Sequence, residues 1–454
     1  MTGSSRRRRR IALTVAGGVA VALTASGCLQ DPNPSGGQGG AGLGGFVDGG
    51  SADGDKTVTI LGAFGGDEQK QFEASLVDFE KESGINVQYT ADTDFTTTIK
   101  QKVNSGDSPD IGLFPQPGGL VEFAAQGKVN PIDAYLDYDK IDATLVSGML
   151  DSSRYQGRVY GAPMRLAVKS LVWYPKPSYE DKGYSTEPKT IQDLEKTTTK
   201  IKGDGVAPWC MGWESDQATG WVGTDWIEEL VLRMYGPDVY DQWVKHQIPF
   251  NDERIVKAFD EFGKIAKGEG EVLGGTKGIL NTAFADAMNP AFSPDPKCYL
   301  MRQGNFATGF FPAPVQQDLD GKVGIFVYPR FEGGYDGQAI LGGGDIAALF
   351  NGNDDDAKKV MEFITSDKFG APWAKAGGWL SPHTSFDSAN YPDELTRQMA
   401  KIAADADVFR FDGSDVMPKE VGSGTFWTAM VQWVSGKSSQ EVTDEVEASW
   451  PEQS

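Results

Sequence analysis

The 454-residue chain contains two histidines, His246 and His383, and three cysteines. A Cys/His zinc site or a histidine-based triad would have to draw on these few residues, and no HExxH, GxSxG or GxxxxGKS/T string occurs. Positive charge is also short. Lys and Arg number 42 against 64 Asp and Glu, for a net charge of −22. That balance excludes phosphate-backbone recognition and direct adhesion to anionic lipid, because both need a basic surface. After residue 27 no apolar run is long enough to span a bilayer. The acidic run NGNDDDAKK (351–359) lacks the ligand spacing of a calcium loop and reads as a turn whose Asp residues cap the next helix. Nothing points to a metal or a cofactor, and no internal repeat is present.

What is there begins with an export signal. Arg6 to Arg10 form a basic head, and residues 11–27 (IALTVAGGVAVALTASG) an apolar run ending in small residues. Together, residues 1–27 have the build of a signal peptide. The junction ASGC resembles the lipobox of bacterial lipoproteins, with Ala25 where Leu is usual. The resemblance makes Cys28 the lipidated N-terminus, on the outer face of the cell membrane. Residues 28–55 are rich in Gly, Pro, Ser and Asp and bury too little apolar surface to fold. They form a tether with a coil span of about 25–30 Å. Cys210 and Cys298 are left as an even pair in an exported chain, where disulfides persist. The expected state is a bridge; two buried free thiols are the alternative.

The folded part opens with KTVTILGAF (56–64), whose alternation and β-branched residues predict a strand. A helical pattern follows, with Phe72, Leu76 and Phe79 on one face and Gly84 as its stop. INVQYT (85–90) is a second strand, the stretch with Ile99 and Val103 a second helix, and PDIGLF (109–114) a third strand. This βαβαβ order predicts a parallel sheet with helices on its faces. Ligands gather at the carboxyl ends of such strands, here the loops 63–67, 91–94 and 114–119. Further on, RLAVKSLVWYP (165–175) reads as one strand, WIEELVLRMYG (226–236) as a helix, and KVGIFVYP (322–329) and AILGGGDIAALF (339–350) as strands.

FEKESGINVQY, VNSGDSPDIGLF, VYGAPM, SLVWYP, AILGGGDIAAL, FITSDKFGAPWAKAGGWLSPH and SDVMPKEVGSGTFWTAM occur in that order over most of residues 56–450. As a set they resemble the bacterial extracellular solute-binding proteins of the sugar class, on the α-glucoside-binding branch. The resemblance implies an α/β fold of two lobes joined by hinge strands, with the solute held between them. Lobe one is expected over 56–164 and 330–377, lobe two over 165–329 and 378–454. It also implies a non-enzymatic, monomeric partner of an ABC importer with permease and ATPase subunits.

A sugar presents apolar C–H faces and a rim of hydroxyls, so its binder needs aromatic plates and planar polar groups. Trp209, Trp213, Trp221 and Trp226 lie close together in sequence, and Trp379 and Trp427 come later. Trp213 in the loop CMGWES and Trp379 in GGWLSP are expected to stack on the ligand, with Trp427 as a further plate. Asp67, Asp92, Asp94 and Glu214 sit on the expected cleft loops, where carboxylates accept strong hydrogen bonds from hydroxyls. Phe64, Phe114 and Gln116 follow strands one and three, where the family places cleft residues. Gly343 and Gly344 allow close backbone approach beside Asp345. Two departures from the maltose-binding pattern stand out: Gly66-Asp67 replaces an Asp-Lys pair and Pro117-Gly118 an Asp-Arg pair. They leave a neutral oligosaccharide expected but maltose itself in doubt. The alternatives are a polyol, a polyamine or a sugar phosphate, the last held by Arg165 and Lys169. An exported glycoside-acting enzyme, with two carboxylates about 5–10 Å apart, or an adhesion lipoprotein remains further off.

Overall fold

The computed structural model describes residues 55–451. The leader, Cys28 and all but the end of the tether lie outside them. Among the described residues, no helix is long and apolar enough to cross a membrane.

The first lobe forms as its alternation dictates. Strands β1 (Thr57–Gly62), β2 (Asn86–Ala91) and β3 (Ile111–Phe114) are parallel with β1 in the middle. Helix α1 (Gly66–Ala74) follows β1, α2 (Phe95–Ser105) buries Phe95, Ile99 and Val103, and α3 (Pro117–Ala125) follows β3. The helical pattern after β1 breaks at Ser75–Leu76, so two short helices replace one.

The stretch expected as a single strand over 165–175 is two. β4 (Ala162–Val168) pairs in the first sheet, whereas β5 (Leu171–Pro175) pairs in another, with Lys169–Ser170 between them. That second sheet has four strands: β5, β6 (Ala207–Trp209), β7 (Cys298–Arg302) and β8 (Val323–Val327). The long helix α4 (Trp221–Val244), broken at Gly236–Pro237, meets this sheet through Trp226, edge-on to Trp209 of β6 at 5.2 Å. Strand β9 (Ala339–Leu349) returns to the first sheet and lies against β3, β4 and β10 (Val408–Phe411). Asp354 caps α5 (Asp355–Ile364), accepting from the N–H groups of Asp356 and Ala357, which is the capping expected of the acidic run. The one-turn helix α6 (Gly413–Val416) follows β10.

The chain therefore crosses between the sheets at 168–171, 327–339 and 411–413. The resemblance placed the last crossing at 377/378. The pairing of β10 with β9 holds the chain with the first sheet until Phe411, and Trp379, Leu380 and Leu395 pack in the core around it. A second core gathers Trp226, Phe259, Phe262 and Trp433. Cys210, just after the last residue of β6, is bridged to Cys298, the first residue of β7.

Candidate functional site

A cavity of about 410 Å³ lies beside the first and third crossings. One wall is polar: Glu68 from the first turn of α1, Gln116 at the start of α3, Arg165 from β4 and Asp345 from β9. The facing wall is aromatic, with Trp221, Phe284, Phe306, Phe310 and Trp427. Lys169, Asp412, Ser414 and Asp415 form the floor.

The aromatic wall is partly open: Trp221, Phe284, Phe306 and Trp427 are half-buried and Phe310 is exposed. Phe310 is 41% accessible, one of two large apolar side chains so exposed among the described residues. Trp221 meets Phe284 edge-on at 5.3 Å and Phe306 at 6.1 Å, and Phe284 meets Phe310 at 5.3 Å. The Trp221 ring nitrogen donates to Ser215 Oγ at 3.0 Å, which fixes its plane. The rings give apolar surface at several angles.

Both cations of the cavity are already matched. Arg165 donates to Asp345 at 2.5 Å and to Glu68 at 2.6 Å, and its guanidinium lies 5.4 Å over the rings of Phe64 and of Trp373. Lys169 donates to Asp225 at 3.0 Å and to Asp412. Each has two carboxylates, so neither is spare for a phosphate, and a sugar phosphate finds no cradle here. Burial, together with the charge of Asp412, pushes the Asp415 carboxyl up to about 8; the Gln116 amide hydrogen-bonds it from the opposite wall. Asp225, Glu228 and Asp412 are close enough to share a cation, and the Lys169 ammonium already supplies it. Burial pushes Asp225 and Glu228 up, while for Asp412 the effect of burial is outweighed by Lys169 and by neighbouring donors, which hold it down.

Two glycines set the backbone. Gly344 has φ +152°, and a side chain there would meet the Arg165 carbonyl at 2.0 Å; the register between β4 and β9 shifts at the next residue, Asp345. Its role is strand contact as much as access for a ligand. Gly118 brings α3 against lobe two, where a Cβ would stand 2.6 Å from the Met417 carbonyl and 2.8 Å from that of Val416.

Of the residues expected from sequence, Gln116, Gly343, Gly344, Asp345 and Trp427 line the cavity. Phe64 lies just behind it, stacked on Tyr89 and supporting Arg165. The structure does not bring the others there. Trp213 is stacked on Phe262 in the second core, and Trp379 on Trp373 in the first, both fully buried. Their flanking glycines read as loop signals, but Gly223 and Gly370 make room for these rings inside the cores. Phe114 packs among Phe95, Phe123 and Phe350. Asp67 is exposed and paired with Lys70, Asp92 accepts from the Asp94 N–H in an outer turn, Asp94 begins α2, and Glu214 holds the Asp216 N–H. Short polar residues after strands served local turns, as Asp commonly does. Sequence reasoning missed Glu68, Phe284, Phe306, Phe310, Ser414 and Asp415. GNFATGFF (304–311) was the visible signal for Phe306 and Phe310, a cluster of rings with glycines in no periodic pattern.

A larger groove, about 790 Å³, runs along β8. Its charges are spent on each other, in Lys189–Glu187, Arg330–Asp336 and Lys401–Asp405. The smaller cavity, with convergent polar groups opposite open rings, is the candidate site.

Residues 65–371 match the family model described as bacterial extracellular solute-binding protein. The chain is 42% identical over 396 residues to the osmoprotective compounds-binding protein GgtB of Synechocystis sp., covering 87% of this chain and 93% of that one. It is 35% identical over 404 residues to the alpha-glucosides-binding periplasmic protein AglE of Rhizobium meliloti, covering 87% of each. The bacterial solute receptor AcbH, described with a preference for β-D-galactopyranose, superposes with a TM-score of 0.71 at 20% identity, over 88% of this chain and 97% of that one. The chain belongs to the bacterial extracellular solute-binding protein family.

Proposed function

We propose that this protein, the solute-binding component of an ABC importer, captures a small neutral glucoside in the cavity between its lobes. The observation that carries this reading is the pairing of open aromatic rings with a wall of carboxylates and an amide whose cations are internally matched. Such a site stacks C–H faces and accepts hydroxyl protons, and it offers nothing to an anion. The name of the 35% identical relative favours an α-glucoside. That of the 42% identical relative favours a second reading, a smaller polyhydroxy osmolyte. Titration calorimetry with maltose, trehalose, sucrose and sorbitol separates the two. Phe310→Ala and Trp221→Ala are each expected to cost about 2–4 kcal/mol of binding, or roughly 30- to 1,000-fold in affinity. If the parent binds none of the four, or both folded variants bind as tightly as the parent, the reading is wrong.

The same proposal includes membrane tethering through Cys28, which rests on the ASGC junction and the Gly-rich stretch after it. Mass spectrometry of membrane-derived protein is expected to find a diacylglyceryl-modified Cys28 as the first residue. An intact leader, or cleavage elsewhere, would falsify it.

A further inference from the structure

Helix α4 carries three carboxylates that an apolar helix should not bury without reason. Asp225, Glu228 and Glu229 are each 2% exposed or less, and the spacing i, i+3, i+4 puts them on one face. Glu228 and Glu229 use both carboxylate oxygens and Asp225 one, and the partners share a location. Asp225 accepts from Lys169 at 3.0 Å. Glu229 accepts from Ser170 Oγ at 2.7 Å, from Arg302 at 2.8 Å and from Arg233 at 2.8 Å. Glu228 accepts from the backbone N–H groups of Gly413 at 3.1 Å and Ser414 at 3.0 Å. Lys169–Ser170 is the first crossing between the lobes, and Asp412–Ser414 the third.

The second crossing is tied to the same points. Leu341 N–H donates to Ser170 Oγ at 2.8 Å, so this one hydroxyl joins β9 to Glu229. Lys169 N–H donates to the Leu341 carbonyl at 2.8 Å, Tyr328 N–H to the Ser170 carbonyl at 2.8 Å, and Asp412 N–H to the Gly342 carbonyl at 2.7 Å. The first and third passages of the chain between the sheets thus end on one face of one helix, and the second is joined to that face through Ser170.

We propose that the Asp225–Glu228–Glu229 face is a clamp that fixes the pivot of the two lobes, and that Glu229, which does not line the cavity, is a positioning residue for solute capture. The inference rests on the cavity being the solute site. Where a backbone is held by buried, charge-assisted hydrogen bonds it resists rotation. Lobe motion is then pushed into the flanking segments, and the pivot residues keep their places relative to α4. Because Ser414 lines the cavity and hangs from Glu228, a solute that presses on the floor acts on the same helix that holds the hinge.

The test uses the full exported chain with Ser170→Ala, which removes only the linking hydroxyl, and Glu229→Gln. Amide exchange in the solute-free protein is expected to accelerate at least about tenfold at Leu341 and Tyr328, with the helix Glu253–Ala266 unchanged. Whichever of maltose, trehalose, sucrose and sorbitol the parent binds is expected to bind both variants at least about fivefold more weakly, without loss of a direct contact. Unchanged exchange at both Leu341 and Tyr328 in folded Ser170→Ala overturns the clamp, and so does acceleration of equal size throughout the chain. If the parent binds no probe, the solute reading falls while the exchange result still decides the clamp.

Discussion

Replacing Lys169 with Met lowers the stability of the protein by about 3–5 kcal/mol at pH 7, the cost of stripping one partner from a buried ion pair. Lys169 is the cation between Asp225 and Asp412, and all three are buried. Glu228 and Asp415 add further acid to the same pocket. Without the ammonium, the native state must either keep uncompensated charge or take up protons. The sign with pH follows. In the parent, Asp412 titrates below its ordinary value of 3.8, so its contribution is present above about pH 4 and fades as pH falls through its native value. Lys169 titrates well above 10.5, so its own contribution is constant through the acidic range. In Lys169→Met the freed carboxyls titrate higher than in the unfolded chain, and the deficit relative to the parent grows as pH rises from about 4 to 7. Urea denaturation of both proteins at pH 4.5 and 7 measures it, with Lys169→Met/Asp412→Asn expected to recover part of the loss. An equal midpoint for parent and variant at pH 7 would show that the cluster carries no such charge.

Replacing both Cys210 and Cys298 with Ala costs about 4–5 kcal/mol in the chain-entropy account, because the bridge closes a loop of 88 residues. That loop contains α4, with the clamp face, and Trp221 and Phe284 of the aromatic wall. The two sulfurs sit where β6 runs parallel to β7, and Cys210 N–H also donates to the Leu300 carbonyl at 2.7 Å. The backbone pairing holds the strand ends without the covalent link, so the variant is expected to fold and bind, with a lower denaturation midpoint. Ala is the right replacement, since a buried Ser would add an unpaired hydroxyl. Thermal and urea denaturation of the double variant give the answer. A midpoint equal to the parent's would mean that the unfolded chain gains no freedom from losing the bridge.

The parts of this molecule that could be read in its residues are those decided locally. β1, β2 and β3 alternate, α2 shows its apolar stripe, and Asp354 stands where a capping residue belongs. The order of these elements made the parallel sheet legible. The division at Lys169–Ser170 was not, because eleven residues that are mostly apolar read as one strand until the partners of each half are known. The aromatic residues failed for a related reason. Trp213 and Trp221 both follow a Gly, and what separates them is whether Phe262 or open space lies across the ring. Asp67 and Glu68 are neighbours, yet only Glu68 reaches Arg165, from a strand far along the chain. Site residues chosen by strand ends were found where the backbone itself lines the cavity, as at Gln116 and Gly343 to Asp345. Of the side chains that reach in from the other lobe, Trp427 and the rings of GNFATGFF left a local mark, whereas Phe284, Ser414 and Asp415 left none.

The place of β9 has a consequence for how the chain comes to be folded. It lies between β3 and β10, antiparallel to β3, with Ile111 opposite Leu349. A chain delivered to its compartment from the N-terminal end presents β1, β2 and β3 first, and the open edge of β3 then waits for everything up to Leu349. An unpaired parallel edge with Ile111 and Leu113 invites association with other chains, and pairings so distant in sequence form slowly. Premature release partway along would leave one half of the sheet without its central strand. The protein is thus exposed to aggregation during its own delivery more than after it, and conditions that slow delivery without blocking it should be the ones that lower its folded yield.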